Sequence, residues 1–133
     1  MVIDASALLA ILLGEPEADD FSRAIAADSR RLISALSVLE AAIVIHSRKG
    51  PAGGRELDLL LHSAAVTTVS LDADQVVQAR GAYEKYGKGR HPAALNLGDC
   101  CSYALSRSSG EPLLFKGDDF PKTDVAVALR RVA

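Results

Sequence analysis

The chain has 133 residues, 49% of them hydrophobic and 24% charged, and carries a formal net charge of −2 at pH 7. These values predict one globular domain over residues 1–133 and exclude both a disordered chain and a protein that coats nucleic acid by bulk charge. No apolar run reaches about 18 residues and no basic stretch precedes the first strand, so neither a membrane span nor a secretory signal is predicted.

The first third of the chain alternates strands with helices. Residues 1–4 are predicted to form a buried strand, and residues 5–13 an apolar helix that ends at Gly14. Residues 16–28 carry acidic side chains near their start, which favours a second helix. Residues 31–34 predict a second strand.

The next predicted helix begins at a serine and ends near Lys49. Either Ser34 or Ser37 is suited to cap it, and Glu40 follows Ser37 at the spacing of a capping box. Apolar residues recur within it at helical spacing, which is typical of a face that packs in the core or against a second copy of the chain. These residues are Leu36, Leu39, Ile43 and Val44.

The alternation continues to the end of the chain. The predicted helices are residues 53–65, a long one through Tyr86 that is capped by Asp72 or Asp74, and 98–107; the predicted strands are 66–71, 112–115 and a short last one at 124–128. Such alternation predicts an α/β fold with a mostly parallel sheet and helices on both faces. Sites in such folds lie beyond the carboxyl ends of the strands.

Acidic residues stand at or near the ends of these elements. Asp4 and the pair Asp118–Asp119 follow strands, whereas Glu40 and Asp99 lie near helix starts. A helix cap, a capping box, a first-turn residue or a solvated turn would each explain one of them alone. Carboxylates gathered at one locus repel each other, and a hard cation offsets that cost. The joint pattern predicts a site for Mg²⁺, with Mn²⁺ as a substitute, and metal-dependent phosphodiester hydrolysis.

Other site chemistries find less support. The three histidines show no paired-ligand spacing, and the chain has no nucleophile elbow or P-loop. Cys100 and Cys101 are adjacent, which suits small core residues and a reducing cytoplasm. Basic residues near the acids are either phosphate contacts for a nucleic acid or plain solvated surface. The candidates for RNA contact are Lys88, Arg90 and Lys116.

The chain resembles PIN-domain ribonucleases, specifically the VapC-type toxins of bacterial type II toxin–antitoxin pairs. The matching segments follow the family's order from end to end: residues 2–8 (VIDASAL), 37–41 (SVLEA), 95–105 (LNLGDCCSYAL) and 113–124 (LLFKGDDFPKTD). The resemblance implies a PIN-like three-layer α/β/α sandwich and a Mg²⁺-dependent endoribonuclease that leaves 5′-phosphate and 3′-hydroxyl ends. It also implies a homodimer and a cognate VapB-type antitoxin whose C-terminal segment covers the site.

The same resemblance assigns roles to individual residues. Asp4 and Asp99 match the principal Mg²⁺ ligands, and Glu40 matches the third carboxylate. The fourth acid is Asp118 or Asp119. Two further positions match supporting residues of the family. Ser6 matches a residue that supports Asp4, and Asn96 matches one that orders the loop before Asp99.

Three other classes remain as alternatives. A receiver-like signalling module needs an acidic pair near the first strand, whereas Asp4 stands alone. A haloacid-dehalogenase-type phosphatase needs an aspartate two residues after the first, where this chain has Ser6. A non-catalytic binding protein with the same fold is disfavoured because every acidic position is retained.

Overall fold

A computed structural model describes residues 1–129. Strands and helices alternate through them, and the bounds agree with the sequence prediction to within a few residues. They are β1 Val2–Ile3, α1 Ala5–Leu12, α2 Ala18–Ala27, β2 Leu32–Ser34, α3 Ala35–Lys49, α4 Pro51–Ser63, β3 Thr67–Val69, α5 Ala73–Tyr86, α6 Leu97–Ser109 and β4 Leu113–Leu114, followed by a 3₁₀ turn at Phe120–Lys122.

The four strands form one parallel sheet in the order β3-β2-β1-β4. Side chains along each strand alternate between the two faces of the sheet. Ile3 and Ile33 enter a core shared with α1 to α4, whereas Val2 and Leu32 enter a core shared with α5 and α6. This arrangement confirms the predicted three-layer α/β/α sandwich.

Two features of helix α3 were left open by the sequence. Ser34 stands at its N-cap, so Ser37 lies inside the helix and the pair Ser37–Glu40 is not a capping box. Its apolar residues do not all face the core, since Leu39 and Ile43 are 56% and 61% exposed. The helix instead buries Ser37, Ala41 and Ile45, which recur every four residues. Leu39 and Ile43 each lie two positions after a buried residue, about 200° around the helix, and therefore face outward.

The end of the described chain pairs with the sheet at one position. The last predicted strand, residues 124–128, is reduced to a single bridge between Val127 and Leu113.

Within residues 1–129, no helix combines the length and the apolar character that a membrane crossing requires.

The carboxyl edge of the sheet is the place where the candidate site lies. Val2 of β1 pairs with Leu32 of β2, so Asp4 and Ser34 leave neighbouring strands at the same edge. Helix α3 begins directly after Ser34, and α6 packs against both α3 and β1. Three acid-bearing segments of the chain therefore meet here.

Candidate metal centre

Asp4 is the most buried acid of the site, with 3% of its surface exposed. Its backbone N–H donates to the Leu114 carbonyl at 2.9 Å, which fixes the end of β1 against β4. Its Oδ2 accepts from the Ser6 backbone N–H at 3.1 Å and from Ser6 Oγ at 2.6 Å. Its Oδ1 accepts from Ser102 Oγ at 2.5 Å. Three donors therefore orient this carboxylate, and Ser6 lies where the resemblance placed a support.

A second serine stands behind Ser102. Ser37 Oγ of α3 lies 3.1 Å from Ser102 Oγ of α6, and both residues are completely buried. Because the Ser102 hydroxyl proton is directed to Asp4, Ser37 is the donor of this second bond. Neither serine was predicted as a site residue from the sequence, where Ser37 was only a possible helix cap. Their signal was a small hydroxyl within an apolar helix face, since buried polar groups require partners.

Glu40 reaches the site from the second turn of α3. Its carboxylate lies against Gly98, where a Cβ would stand 2.7 Å from Oε1 and 2.8 Å from Cδ. Partial burial raises the pKa of Glu40, and the charge of Asp4 raises it further. Glu40 therefore lies beside the start of α6, next to Asp99.

Asp99 lies in the first turn of α6 and forms a capping box with Asn96. The Asp99 N–H donates to Asn96 Oδ1 at 2.9 Å, and the Asn96 N–H donates to Asp99 Oδ2 at 3.1 Å. Burial raises the pKa of Asp99 to about 6; the bond from Asn96 opposes the rise, and the charges of Asp4, Glu40 and Asp119 add to it. The capping role and the site role thus coexist in one side chain.

The structure separates the two aspartates after β4. The charge of Asp119 acts on Asp99, whereas that of Asp118 is not among the causes of its raised pKa. Asp118 lines a different cavity, together with Glu17 and Phe21 of the α2 region. Asp119 is therefore the better placed fourth acid.

The predicted RNA-contacting residues have different surroundings. Lys88 and Arg90 are exposed in the loop between α5 and α6, and the Arg90 guanidinium lies 5.5 Å from the centre of the Tyr83 ring. Lys116 instead forms ion pairs with Glu15 and, at 3.2 Å, with Glu17. Its charge is engaged within the protein.

The four carboxylates of the site are chemically suited to bind a hard divalent cation. Within residues 1–129, no lysine or arginine side chain forms an ion pair with Asp4, Glu40, Asp99 or Asp119, so no cationic side chain there offsets their mutual repulsion. Among these residues, no three acidic, histidine or cysteine side chains stand at the spacing of a ready-made metal site. Carboxylate oxygens are the ligands that Mg²⁺ and Mn²⁺ prefer.

Comparison with known proteins gives a consistent result. A sequence profile of the PIN domain matches residues 1–126. The chain is 60% identical over 126 residues to "Ribonuclease VapC30" of Mycobacterium tuberculosis, covering 95% of this chain and 96% of the relative. It is 61% identical over 126 residues to "Ribonuclease VapC" of Mycolicibacterium smegmatis, covering 95% and 98%.

The fold also matches a solved structure. The crystal structure of Mycobacterium tuberculosis VapC20, described as a sarcin-ricin loop cleaving toxin, superposes with a TM-score of 0.79 over 98% of each chain. Its sequence is 20% identical to this chain, so this likeness concerns the fold alone.

Proposed function

Because the chain belongs to the PIN-domain family, we propose that it is the toxin of a type II toxin–antitoxin pair and acts as a Mg²⁺-dependent endoribonuclease. The observation that carries the proposal is the meeting of Asp4, Glu40, Asp99 and Asp119 at one sheet edge without a basic partner among residues 1–129. Relatives at 60% identity that are named VapC ribonucleases support it.

Asp4, Glu40 and Asp99 are the residues that would hold Mg²⁺. When bound, Mg²⁺ activates a water and offsets charge that develops on the phosphate. The protein's own contribution is orientation: Ser6 and Ser102 direct the Asp4 carboxylate, and Asn96 directs that of Asp99. Asp119 lies in the loop after β4, from which it would orient the attacking water. The products are a 5′-phosphate and a 3′-hydroxyl.

RNA would approach from the exposed loop that leads into α6. Lys88 and Arg90 are exposed there, and phosphate contacts by such side chains fix the register of a strand. Arg90 is already held over Tyr83, which reduces the entropy lost when it contacts RNA. Lys116 contributes less to RNA binding because two glutamates neutralise it. Cleavage of cellular RNA would take place in the cytoplasm.

Two protein partners follow from the same proposal. Carboxylates that lack a basic partner would accept an arginine or lysine from a VapB-type antitoxin, which would replace the charge of the cation. A second copy of the chain would cover the exposed apolar residues of α3, Leu39 and Ile43. Such residues are typical of oligomer interfaces when they form a patch.

The decisive experiment is cleavage of total cellular RNA by the purified protein, with Mg²⁺ or with EDTA. The Asp99→Asn variant, purified identically, controls for contaminating nucleases. Discrete fragments that require both the metal and Asp99 are expected, and mapping of their ends would identify the target. Equal cleavage by the variant would contradict the proposal.

A further inference from the structure

The hydrogen bonds of Asp4 occupy most of its carboxylate. An ionised carboxylate offers about four lone-pair positions, two on each oxygen. Ser6 fills both positions of Oδ2 through its N–H and its hydroxyl, and Ser102 fills one position of Oδ1. One position, on Oδ1, is left for a ligand from outside.

We propose that the buried pair Ser37–Ser102 is a positioning relay, which fixes the Asp4 carboxylate in the orientation in which it would hold the cation. The inference rests on the proposed metal dependence and adds two residues to it. Neither serine touches the cation or the RNA in this scheme. Both act through Asp4.

The position of the relay in the chain supports this role. Ser37 lies three residues before Glu40 on α3, and Ser102 lies three residues after Asp99 on α6. Residues three apart share a helix face, so each serine lies on the same side of its helix as an acid. The bonds from Ser37 to Ser102 and from Ser102 to Asp4 therefore join the three elements that carry the proposed ligands.

Burial also favours a positioning role over simple packing. Both hydroxyls are completely buried, and a buried hydroxyl costs free energy unless it is hydrogen-bonded. Alanine would fill a similar space between α3 and α6 without that requirement. The Ser102 hydroxyl donates its only proton to Asp4, and the Ser37 hydroxyl donates its proton to Ser102. The arrangement is directional, and it ends at one carboxylate oxygen.

Removal of the Ser102 hydroxyl would leave both positions of Asp4 Oδ1 open, and only the two bonds from Ser6 to Oδ2 would still orient the carboxylate. The test is a Mn²⁺ titration of the wild type and of Ser102→Ala, Ser102→Thr and Ser37→Ala, with free Mn²⁺ read by electron paramagnetic resonance. Loss of an outer partner of a metal ligand weakens metal affinity by roughly 10- to 100-fold. We expect Ser102→Ala to weaken Mn²⁺ affinity by at least about 10-fold and Ser37→Ala to weaken it less. Ser102→Thr keeps the hydroxyl and should recover the affinity of the wild type.

Ser106 supplies the matched control. It lies one turn further along α6, is 3% exposed, and donates to the Glu111 carbonyl at 2.6 Å, away from Asp4. Ser106→Ala removes the same atom from the same helix at similar burial. We expect it to lower stability without changing Mn²⁺ affinity.

A second readout comes from cleavage at varied Mg²⁺. Ser102→Ala is expected to raise the half-saturating Mg²⁺ concentration, with the rate partly restored at high Mg²⁺. Ser37→Ala keeps the inference testable if Ser102→Ala fails to fold. Unchanged Mn²⁺ affinity in the relay variants, or an equal loss in Ser106→Ala, would overturn the relay alone. A wild type that binds no Mn²⁺ would overturn the metal dependence as well.

Discussion

The carboxylate of Glu40 lies so close to Gly98 that the three atoms nearest to an added Cβ would all belong to that carboxylate. Glu40 is on α3 and Gly98 is on α6, one residue before Asp99. The absence of a side chain at residue 98 is therefore what allows Glu40 to stand beside Asp99.

Gly98→Ala should separate activity from stability. The added methyl group must displace the tip of the flexible Glu40 side chain, and the fold tolerates this movement. The cleavage rate does not, because displacement of a site group by about 1 Å lowers the rate on the order of 100-fold. We expect that loss in the cleavage assay, with a melting temperature close to that of the wild type. Gly81→Ala on α5 is the control, because a Cβ there meets open space. Full activity of Gly98→Ala would show that the contact does not position Glu40.

Asp99→Asn should stabilise the metal-free protein at neutral pH. The folded protein raises the pKa of Asp99 from 3.8 to about 6. The folded state then binds more protons than the unfolded state between these values, so the wild type loses stability as pH rises through this window. The full rise corresponds to about 3 kcal/mol at pH 7.5, and asparagine removes the penalty but keeps an oxygen for the Asn96 N–H.

Urea unfolding in EDTA at pH 4 and pH 7.5 measures this effect. The variant is expected to exceed the wild type at pH 7.5, with a gap of about 1–3 kcal/mol that narrows at pH 4. Addition of Mg²⁺ at pH 7.5 should stabilise only the wild type. A variant less stable than the wild type at both pH values would rule out the penalty that burial and the neighbouring carboxylates impose on the Asp99 charge.

Asp119→Asn and Asp118→Asn form a matched pair. Of these two aspartates, only Asp119 is among the charges that raise the pKa of Asp99, and Asp118 lines the separate cavity near α2. The rate of cleavage should fall roughly 10- to 100-fold in Asp119→Asn, the range for outer partners of a metal site. It should change little in Asp118→Asn. The reverse order would reassign the fourth acid.

Asn96→Ala should affect both the helix and the site. Loss of a side-chain cap costs about 1 kcal/mol, and here it also removes the acceptor that anchors the Asp99 N–H. Asp72→Ala removes the corresponding cap of α5, where Asp72 accepts from the Gln75 N–H at 2.8 Å. We expect similar losses of stability in urea unfolding but a reduced cleavage rate only in Asn96→Ala. Equal rates in the two variants would limit Asn96 to capping.

The exposed apolar face of α3 predicts self-association. Replacement of Leu39 and Ile43 together by aspartate should give a monomer in light scattering, because two charges would enter a buried apolar contact. Leu59→Asp on α4 is the control, since Leu59 is 64% exposed and lies on another helix. A wild type that is monomeric at micromolar concentration would remove the need for a partner at this face.

The order of strands and helices, and the edge where the acids gather, could be predicted from local patterns. Strand ends, helix caps and apolar periodicity are encoded within a few residues of one another. Once the sheet is parallel, its carboxyl ends share one edge, so Asp4, Glu40 and Asp99 were expected together. The resemblance in the segments around them pointed to the same set.

Tertiary packing decided the remaining features. The rotation of α3 against the sheet placed Ser37 inside and Leu39 outside, although the helical spacing of apolar residues included Leu39 and not Ser37. The course of the loop after β4 brought the charge of Asp119, and not that of Asp118, near enough to raise the pKa of Asp99. The bond between Ser102 and Asp4 joins residues 98 positions apart, and no local pattern encodes such a contact. These features depend on how whole elements settle against each other, which short-range sequence signals do not specify.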